Sequence, residues 1–412
     1  VSSDTNEKHT PVQLFLDLSR LVYAACSRTP TGIPRVELAY AEYLIANYPE
    51  RLKFVVLDAI GRQGLADRRQ AALFVSEISR YWRKHTASKQ AYAKVVRRAL
   101  WIHLALLLQR PGRLAHSIDR HPGRSIYVIV SQLAMERTRR IERLKRSGKL
   151  RLVYFVHDIF PSLFPEYFPA DAEGRNRKRM AGAARLADVV IANSQDTANL
   201  FTEHFAKDRR PDAIVVAPLG VGIVRYGAGP VVPADRPYFV MVGTIEPRKN
   251  HLLILTLWRS LRAELGAKTP RLILIGGRGW ENENIVDMLE RSPPLRGLVE
   301  ERGRVSDDEM ARLLAGSIAL LMPSFAEGYG LPLAEALSLG VPAICSDLPA
   351  FREVGKDVPE FIDPVDGLGW RSAILDYAAP ESPRRGAQLA RLARWQAPNW
   401  SDHFEHISKW LD

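Results

Sequence analysis

Cysteine is almost missing from this chain: its 412 residues include only Cys26 and Cys345, far apart in sequence. Two such positions support neither a disulfide framework nor a cysteine zinc site, and they fit a reducing cytoplasm. Long apolar runs are also missing. No stretch reaches the roughly 18 residues of a membrane span, and the opening VSSDTNEKHT is polar, so no signal peptide is expected there. Acidic residues are in deficit, 46 against 58 Lys and Arg, for a formal charge of +12. The composition, 46% hydrophobic and 25% charged, is that of a globular protein and excludes disordered and fibrous classes. A chain of this length suits two domains, each with its own core.

The positive charge implies an anionic partner: nucleic acid, an anionic membrane surface or a phosphate-bearing substrate. It is concentrated between residues 62 and 124, which hold 14 Lys or Arg against three acids. Aromatic residues are not interleaved there as base-stacking platforms, so no nucleic-acid partner is expected. Within the segment lies YAKVVRRALWIHLALLLQ, basic at its start and apolar at its end. This is either a core helix with a solvated basic end or a helix resting on a lipid interface.

Apolar β-branched runs alternate with segments of helical period. VQLFLDLSRL, LKFVVLD, SIYVIVSQ, LRLVYFVHDI, DVVIANS and AIVVAPLG fill the first half. After the Gly/Pro-rich 222–237, the pattern restarts with YFVMVGTI, RLILIGG, SIALLMPS, VPAICSD and EFIDP. The expected fold is α/β, with two Rossmann-like domains (1–225 and 236–397) whose parallel sheets face each other across a cleft. Ligands of such sheets bind beyond the carboxyl ends of the strands.

Four motifs follow strands. PSFAEGYGLPLAEALSLGVPAICSD (323–347) runs from a strand through a glycine-bearing loop into a helix with Pro332 in its first turn and Gly340 as its stop. Side chains of a helix lean toward its N-terminus, so Glu335 is expected to point back toward the loop of Glu327, two carboxylates facing one pocket without touching. An ionised carboxylate accepts from two adjacent hydroxyls, as on a ribose or hexose. The bland alternative is one loop carboxylate and one exposed helix acid.

GTIEPRKN places Arg248 and Lys249 before a helix that Asn250 could cap, within reach of a diphosphate. TPTGIPR puts Gly32 and Arg35 at another helix start, a second phosphate or acceptor contact. LRLVYFVHDIFP ends a strand on His157 and Asp158, which either orient a hydroxyl nucleophile or form a structural pair. LILIGGRGW, with Gly276, Gly277 and Gly279, is too loose for a dinucleotide fingerprint.

Taken in order, GTIEPRKN, LILIGGRGW, GRVSDDEMARLLAGS, PSFAEGYGLPLAEALSLGVPAICSD and the Trp-bearing end NWSDHFEHISKWL resemble the GT4 retaining glycosyltransferases of GT-B fold. FLDLSRLVYAACSRTPTGIPRVELAY is similar to the opening of bacterial mannosyl- and rhamnosyltransferases of O-antigen and exopolysaccharide synthesis. The resemblance implies that Glu327 binds the donor sugar beside the N–H groups of Gly328, Tyr329 and Gly330. It implies that Glu335 binds the ribose, that Lys249 and Arg248 hold the diphosphate, and that Gly32, Gly243, Gly277 and Leu331 line the donor site. His157 would stand between sugar and acceptor, with Asp158 and Arg35 on the acceptor. The catalytic set is then Glu327, His157, Lys249 and Arg248. Thr244 stands where many relatives carry an arginine, and Arg248 would substitute.

The same resemblance implies a C-terminal helix, about 398–412, crossing back to the first domain. The implied reaction is hexosyl transfer from a nucleotide sugar such as GDP-mannose to a lipid-linked or free glycan, without metal or other cofactor, in the cytoplasm or on the inner face of the membrane. A UDP-sugar donor, a GT-B-shaped epimerase, and an inactive module binding membrane or nucleic acid are the alternatives.

Overall fold

The computed structural model describes residues 11–27, 29–30, 32–58, 61–83, 88–133, 135–208, 211–222 and 236–412. The polar opening 1–10, Lys84 of the basic segment and most of the Gly/Pro-rich connection (223–235) lie outside the described residues.

Two sheets form. The first comprises β1 (Gln13–Asp17), β2 (Leu52–Leu57), β3 (Gln63–Ala66), β4 (Ser125–Ile129), β5 (Leu150–Val156), β6 (Val189–Ala192) and β7 (Ala213–Val216), in the order 3-2-1-4-5-6-7. The second comprises β8 (Tyr238–Val242), β9 (Arg271–Ile275), β10 (Val299–Gly303), β11 (Leu320–Met322), β12 (Ala343–Ser346) and β13 (Glu360–Ile362), in the order 10-9-8-11-12-13. Pairing is parallel except between β2 and β3. Central strands are buried on both faces: all five residues of β1 and all five of β4 are enclosed. This is why they read as continuous apolar runs rather than alternating ones.

Two edge strands have no counterpart among the apolar runs. β3 is QGLA and β10 is VEERG, both partly exposed, and an edge strand open to solvent needs no apolar run.

Large side chains fix the core of the second domain. Trp258 and Trp370 are fully buried, and their indole N–H groups donate to Pro270 O (2.9 Å) and Asp363 O (3.0 Å). Truncating either to alanine costs about 3–5 kcal/mol. The C-terminal helix Trp400–Ser408 packs on the first domain: Phe404 stacks on Tyr43 with ring centroids 3.7 Å apart, and His403 bonds Ala217 O, Pro218 O and Tyr40 Oη.

In each sheet the strand order reverses between two central strands, β1/β4 in the first and β8/β11 in the second. The crevice beyond these reversal points is where such sheets hold ligands. At the second, the loops after β8 and β11 carry Arg248, Lys249 and Glu327.

Candidate functional site

The loop after β8 makes one tight turn, Pro247–Lys249, and the loop after β11 runs alongside it, with Phe325 N–H bonded to Arg248 O at 2.9 Å. That contact brings residues 78 positions apart together. Glu327, buried, is paired directly with Lys249; it lies 3.2 Å from Arg248 Nη1 and accepts from Ser324 Oγ at 2.9 Å. Arg248 also bonds Glu246, itself buried, at 2.6 Å.

Burial alone would raise the Glu327 carboxyl. Lys249 and Arg248 beside it overcome that cost and hold it at about 2. Burial would lower Arg248, but Glu327, Glu246 and Asp158 keep it pushed up. The site therefore holds a carboxylate and two cations in a buried network.

The same loop meets the first domain. Gly328 packs so closely that a Cβ there would sit 2.3 Å from His157 O, and its own carbonyl accepts from Ser194 Oγ (2.7 Å) and Thr197 Oγ1 (3.2 Å). Only glycine allows this approach. Tyr329 Oη donates to Leu219 O at 2.7 Å. Gly330, at φ +95°, is the left-handed N-cap of the helix Leu331–Ser338; Pro332 brings no N–H to the first turn and Leu333 N–H donates to Gly330 O at 2.9 Å, which leaves Leu331 N–H without an intrahelical acceptor.

Glu335, on that helix, is almost completely buried but sits elsewhere than expected. It accepts from Arg35 Nη1 at 3.3 Å and lines a cavity of about 530 Å³ with Arg35, Asp307, Leu331, Trp82 and Trp400. Arg35 is shared, its other nitrogen bonding Asp307. Burial raises the Glu335 carboxyl to about 7, against Arg35 and with added push from Asp307.

The expectation that both carboxylates face one pocket is thus corrected. Lys249 and Arg248 close over Glu327, while Glu335 opens on the cavity of Arg35. Arg35, expected as an acceptor contact, stands beside Glu335 and not beside His157 and Asp158, because its position one turn into the helix Gly32–Asn47 carries it to the second domain. Gly32, at the start of that helix, faces open space.

His157 is buried and stacked on Phe155 at 4.3 Å, and its Nε2 lies 2.7 Å from Val130 O. A carbonyl only accepts, so Nε2 carries the proton and Nδ1 is left as an acceptor. Burial brings the ring down to about 4, so it is neutral at physiological pH. A structural His157–Asp158 bond is not formed: Asp158 accepts from Phe160 N–H (3.4 Å) and is raised by burial, with Arg248 opposing.

Gly243 N–H is spent on Ile275 O; what this residue provides is room for the Lys249 side chain, whose atoms would lie 3.3–3.7 Å from a Cβ at that position. Gly277 accepts from Ile245 N–H at 2.9 Å. Asn250 occupies the cap position of the following helix in a left-handed conformation, but its side chain donates to Pro364 O rather than capping. Sequence reasoning misses Glu246, Ser324 and Asp307. Asp307 reads as an ordinary acid in a helix first turn, and the partner that gives it significance is 272 residues away. Among the described residues, no group of three His, Cys, Asp or Glu is gathered to hold a metal ion, and no helix is long and apolar enough to cross a membrane.

Comparison with known proteins agrees with this fold. Residues 228–359 match the family described as "Glycosyl transferases group 1". The chain is 31% identical over 261 residues to O-antigen chain mannosyltransferase B of Escherichia coli, covering 61% of this chain and 68% of that protein. It is 29% identical over 248 residues to the serotype-specific mannosyltransferase WbdA of Escherichia coli, covering 56% of this chain and only 30% of the relative. In structure it resembles Anabaena Alr3699/HepE, solved in complex with UDP and glucose, at a TM-score of 0.63 and 16% identity over 97% of this chain and 99% of that one. Two parallel-sheet domains arranged as in these neighbours are the GT-B fold, and the chain belongs to the group 1 glycosyltransferases.

Proposed function

We propose that the protein transfers a hexosyl group, mannose from GDP-mannose, to a hydroxyl of a lipid-linked glycan during assembly of a bacterial surface polysaccharide. In this reading it works in the cytoplasm or at the inner face of the membrane, with retention of configuration and without a divalent ion. The observation that carries it is the buried Glu327–Lys249–Arg248 network beyond the reversal point of the second sheet. The mannosyltransferase activity for which the E. coli relatives are named supports the choice of sugar.

Chemically, the network can exchange partners. A donor diphosphate entering the site takes Lys249 and Arg248 as charge-assisted donors, which frees both oxygens of Glu327 to accept from sugar hydroxyls. As the bond between the anomeric carbon and the diphosphate oxygen breaks, the electron pair goes to the leaving phosphate, where the two cations and the N-terminal end of the helix Leu331–Ser338, with its Leu331 N–H, meet the growing charge. The acceptor oxygen bonds to the anomeric carbon on the same face, and its proton passes to the leaving phosphate. His157, neutral and with Nδ1 unprotonated, acts as a positioning acceptor rather than a strong base. Glu335, once ionised, accepts from the ribose.

The test is a product assay with GDP-mannose, UDP-glucose and a short glycan acceptor, read by NMR. An inverted anomeric centre removes the retaining mechanism. Conversion of the nucleotide sugar without acceptor replaces transfer by epimerisation, and loss of turnover in a chelator that magnesium restores removes metal independence.

A further inference from the structure

The helix Lys89–Leu107 carries two apolar faces. Val95, Ala99, Ile102 and Leu106 are buried in the first domain. On the opposite side Leu100, Trp101, Leu104 and Leu107, continued by Leu108 at the C-cap, are exposed, Leu104 at 61% and Leu108 at 88%. Single exposed leucines are ordinary; four leucines and a tryptophan at helical spacing on one face form a contiguous patch. Exposed Arg97, and Lys94 paired with Glu77 at 3.1 Å, flank one end of it, and Arg110 and Arg113 the other.

At that second end the chain folds around a cavity of about 340 Å³ into which Arg62, Arg110, Arg113, Arg140 and Arg143 converge. The carboxylate among the lining residues, Asp58, is engaged by Arg62 at 2.7 Å. Arg140 Nη1 is buried without a hydrogen-bond partner among the described residues. Burial holds this guanidinium below its usual range, and the charges of Arg137, Arg143 and Arg62 press in the same direction against Asp58. Converging guanidinium groups with an unspent buried donor match a phosphate, whose oxygens accept in the fork geometry of arginine.

The cavity is linked to the carboxyl end of a central strand of the first sheet. Gln63, in its lining, donates to Tyr127 Oη (3.0 Å), which donates to Asp17 (2.6 Å) at the carboxyl end of β1.

We infer that the arginine cavity and the exposed leucine–tryptophan face form one docking site for a phosphate-bearing lipid at an anionic membrane surface. The phosphate sits among the guanidinium groups, and Leu104, Leu107 and Leu108 lie at the acyl boundary. Charge complementarity selects the occupant: an apolar face flanked by cations at both ends matches the layered polarity of an anionic leaflet. This deepens the transferase reading, and rests on it, only in taking the docked lipid to be the carrier of the acceptor glycan; the docking itself needs no donor.

Co-sedimentation of the full chain with vesicles tests it, using phosphatidylcholine alone, phosphatidylcholine with phosphatidylglycerol, and phosphatidylcholine with phosphatidic acid. The variants are Leu104→Glu/Leu107→Glu/Leu108→Glu, whose side chains face solvent, and Arg140→Gln/Arg143→Gln. The expected result is recovery on anionic vesicles about tenfold above that on neutral ones. The arginine variant should lose that preference, and the leucine variant should lose binding to both anionic compositions.

Equal recovery of the wild type on neutral and anionic vesicles overturns the proposal, as does undiminished binding by the leucine variant. If inorganic phosphate raises the melting temperature of the wild type alone while no vesicle is bound, the cavity is a free-phosphate site and lipid docking falls. An RNA oligonucleotide bound in place of vesicles overturns it in favour of a polyanion surface. Donor-induced thermal stabilisation of both variants serves as the folding control and separates the two readings: vesicle binding without a donor response leaves docking standing and removes the transferase, and the converse removes docking alone.

Discussion

Glu327 and Glu335 stand eight positions apart, both almost fully buried, yet in opposite states: one is held near 2, the other raised to about 7. Burial penalises both charges alike. The difference is in the partners. Glu327 has Lys249 paired with it directly and a share of Arg248, which also bonds Glu246, with Ser324 as a further donor. Glu335 has one arginine, divided with Asp307. A lysine and a share of an arginine suffice to keep a carboxylate charged in an enclosed site; a shared arginine alone does not. Glu327 is thus charged in the ligand-free protein, whereas Glu335 gains its charge only near neutral pH.

The largest expected effect comes from removing Glu327. Glu327→Ala leaves Lys249 without its counter-ion, Arg248 with Glu246 alone and the sugar without its acceptor, so kcat is expected to fall about a thousandfold in a transfer assay. Lys249→Met retains the loop but removes one charge from the leaving diphosphate, with an expected loss of about a hundredfold in kcat. If Lys249→Met lowered donor affinity and left kcat unchanged, the lysine would bind but not stabilise departure.

Glu335 should reveal itself through pH. Glu335 binds hydroxyls best as a carboxylate, so donor affinity measured by calorimetry is expected to rise as pH increases through about 7. Glu335→Gln should lose about tenfold in affinity and abolish that slope. Asp307→Asn frees Arg35 for Glu335 and removes a repelling charge, which should move the midpoint down by about one pH unit. An unmoved midpoint would show that Asp307 does not set the state of Glu335.

Stability should follow opposite courses at the two acids. With its folded value above the ordinary 4.5, Glu335 contributes stability that is present below about 4.5 and lost as pH rises through about 7. Glu327, depressed from the same 4.5, contributes stability that is present above about 4.5 and lost as pH falls through about 2. Urea titrations of Glu335→Gln and Glu327→Gln against pH separate the two. The smallest effect is that of Ser324→Ala, about 1 kcal/mol from one lost hydrogen bond to Glu327.

The same contrast explains what is legible in the sequence. Central strands such as β1 and β4 are buried on both faces and announce themselves by apolar runs. The edge strands QGLA and VEERG do not, because solvent takes one side. Glu327, Lys249 and Arg248 are legible from their places after strands. Their direct pairing is not, since it depends on two loops that meet only when β8 and β11 lie side by side. Arg35 is misplaced by local spacing for a stronger version of the same reason: its partner Glu335 is 300 residues away on the other domain. Spacing within an element is local information, whereas charge pairing between elements is not.

The central claim is that Glu327 is a donor-sugar carboxylate kept charged by the two cations that the diphosphate later claims. Thermal unfolding with GDP, GDP-mannose, UDP-glucose and a dTDP-sugar, for wild type and Glu327→Ala, tests it most directly. A donor at 100 times its dissociation constant is expected to stabilise the wild type by about 2.7 kcal/mol. The variant should retain a response to the bare nucleotide and lose the increment due to the sugar. A variant that responds to the nucleotide sugar as the wild type does, or a wild type that responds to none of them, would contradict the claim.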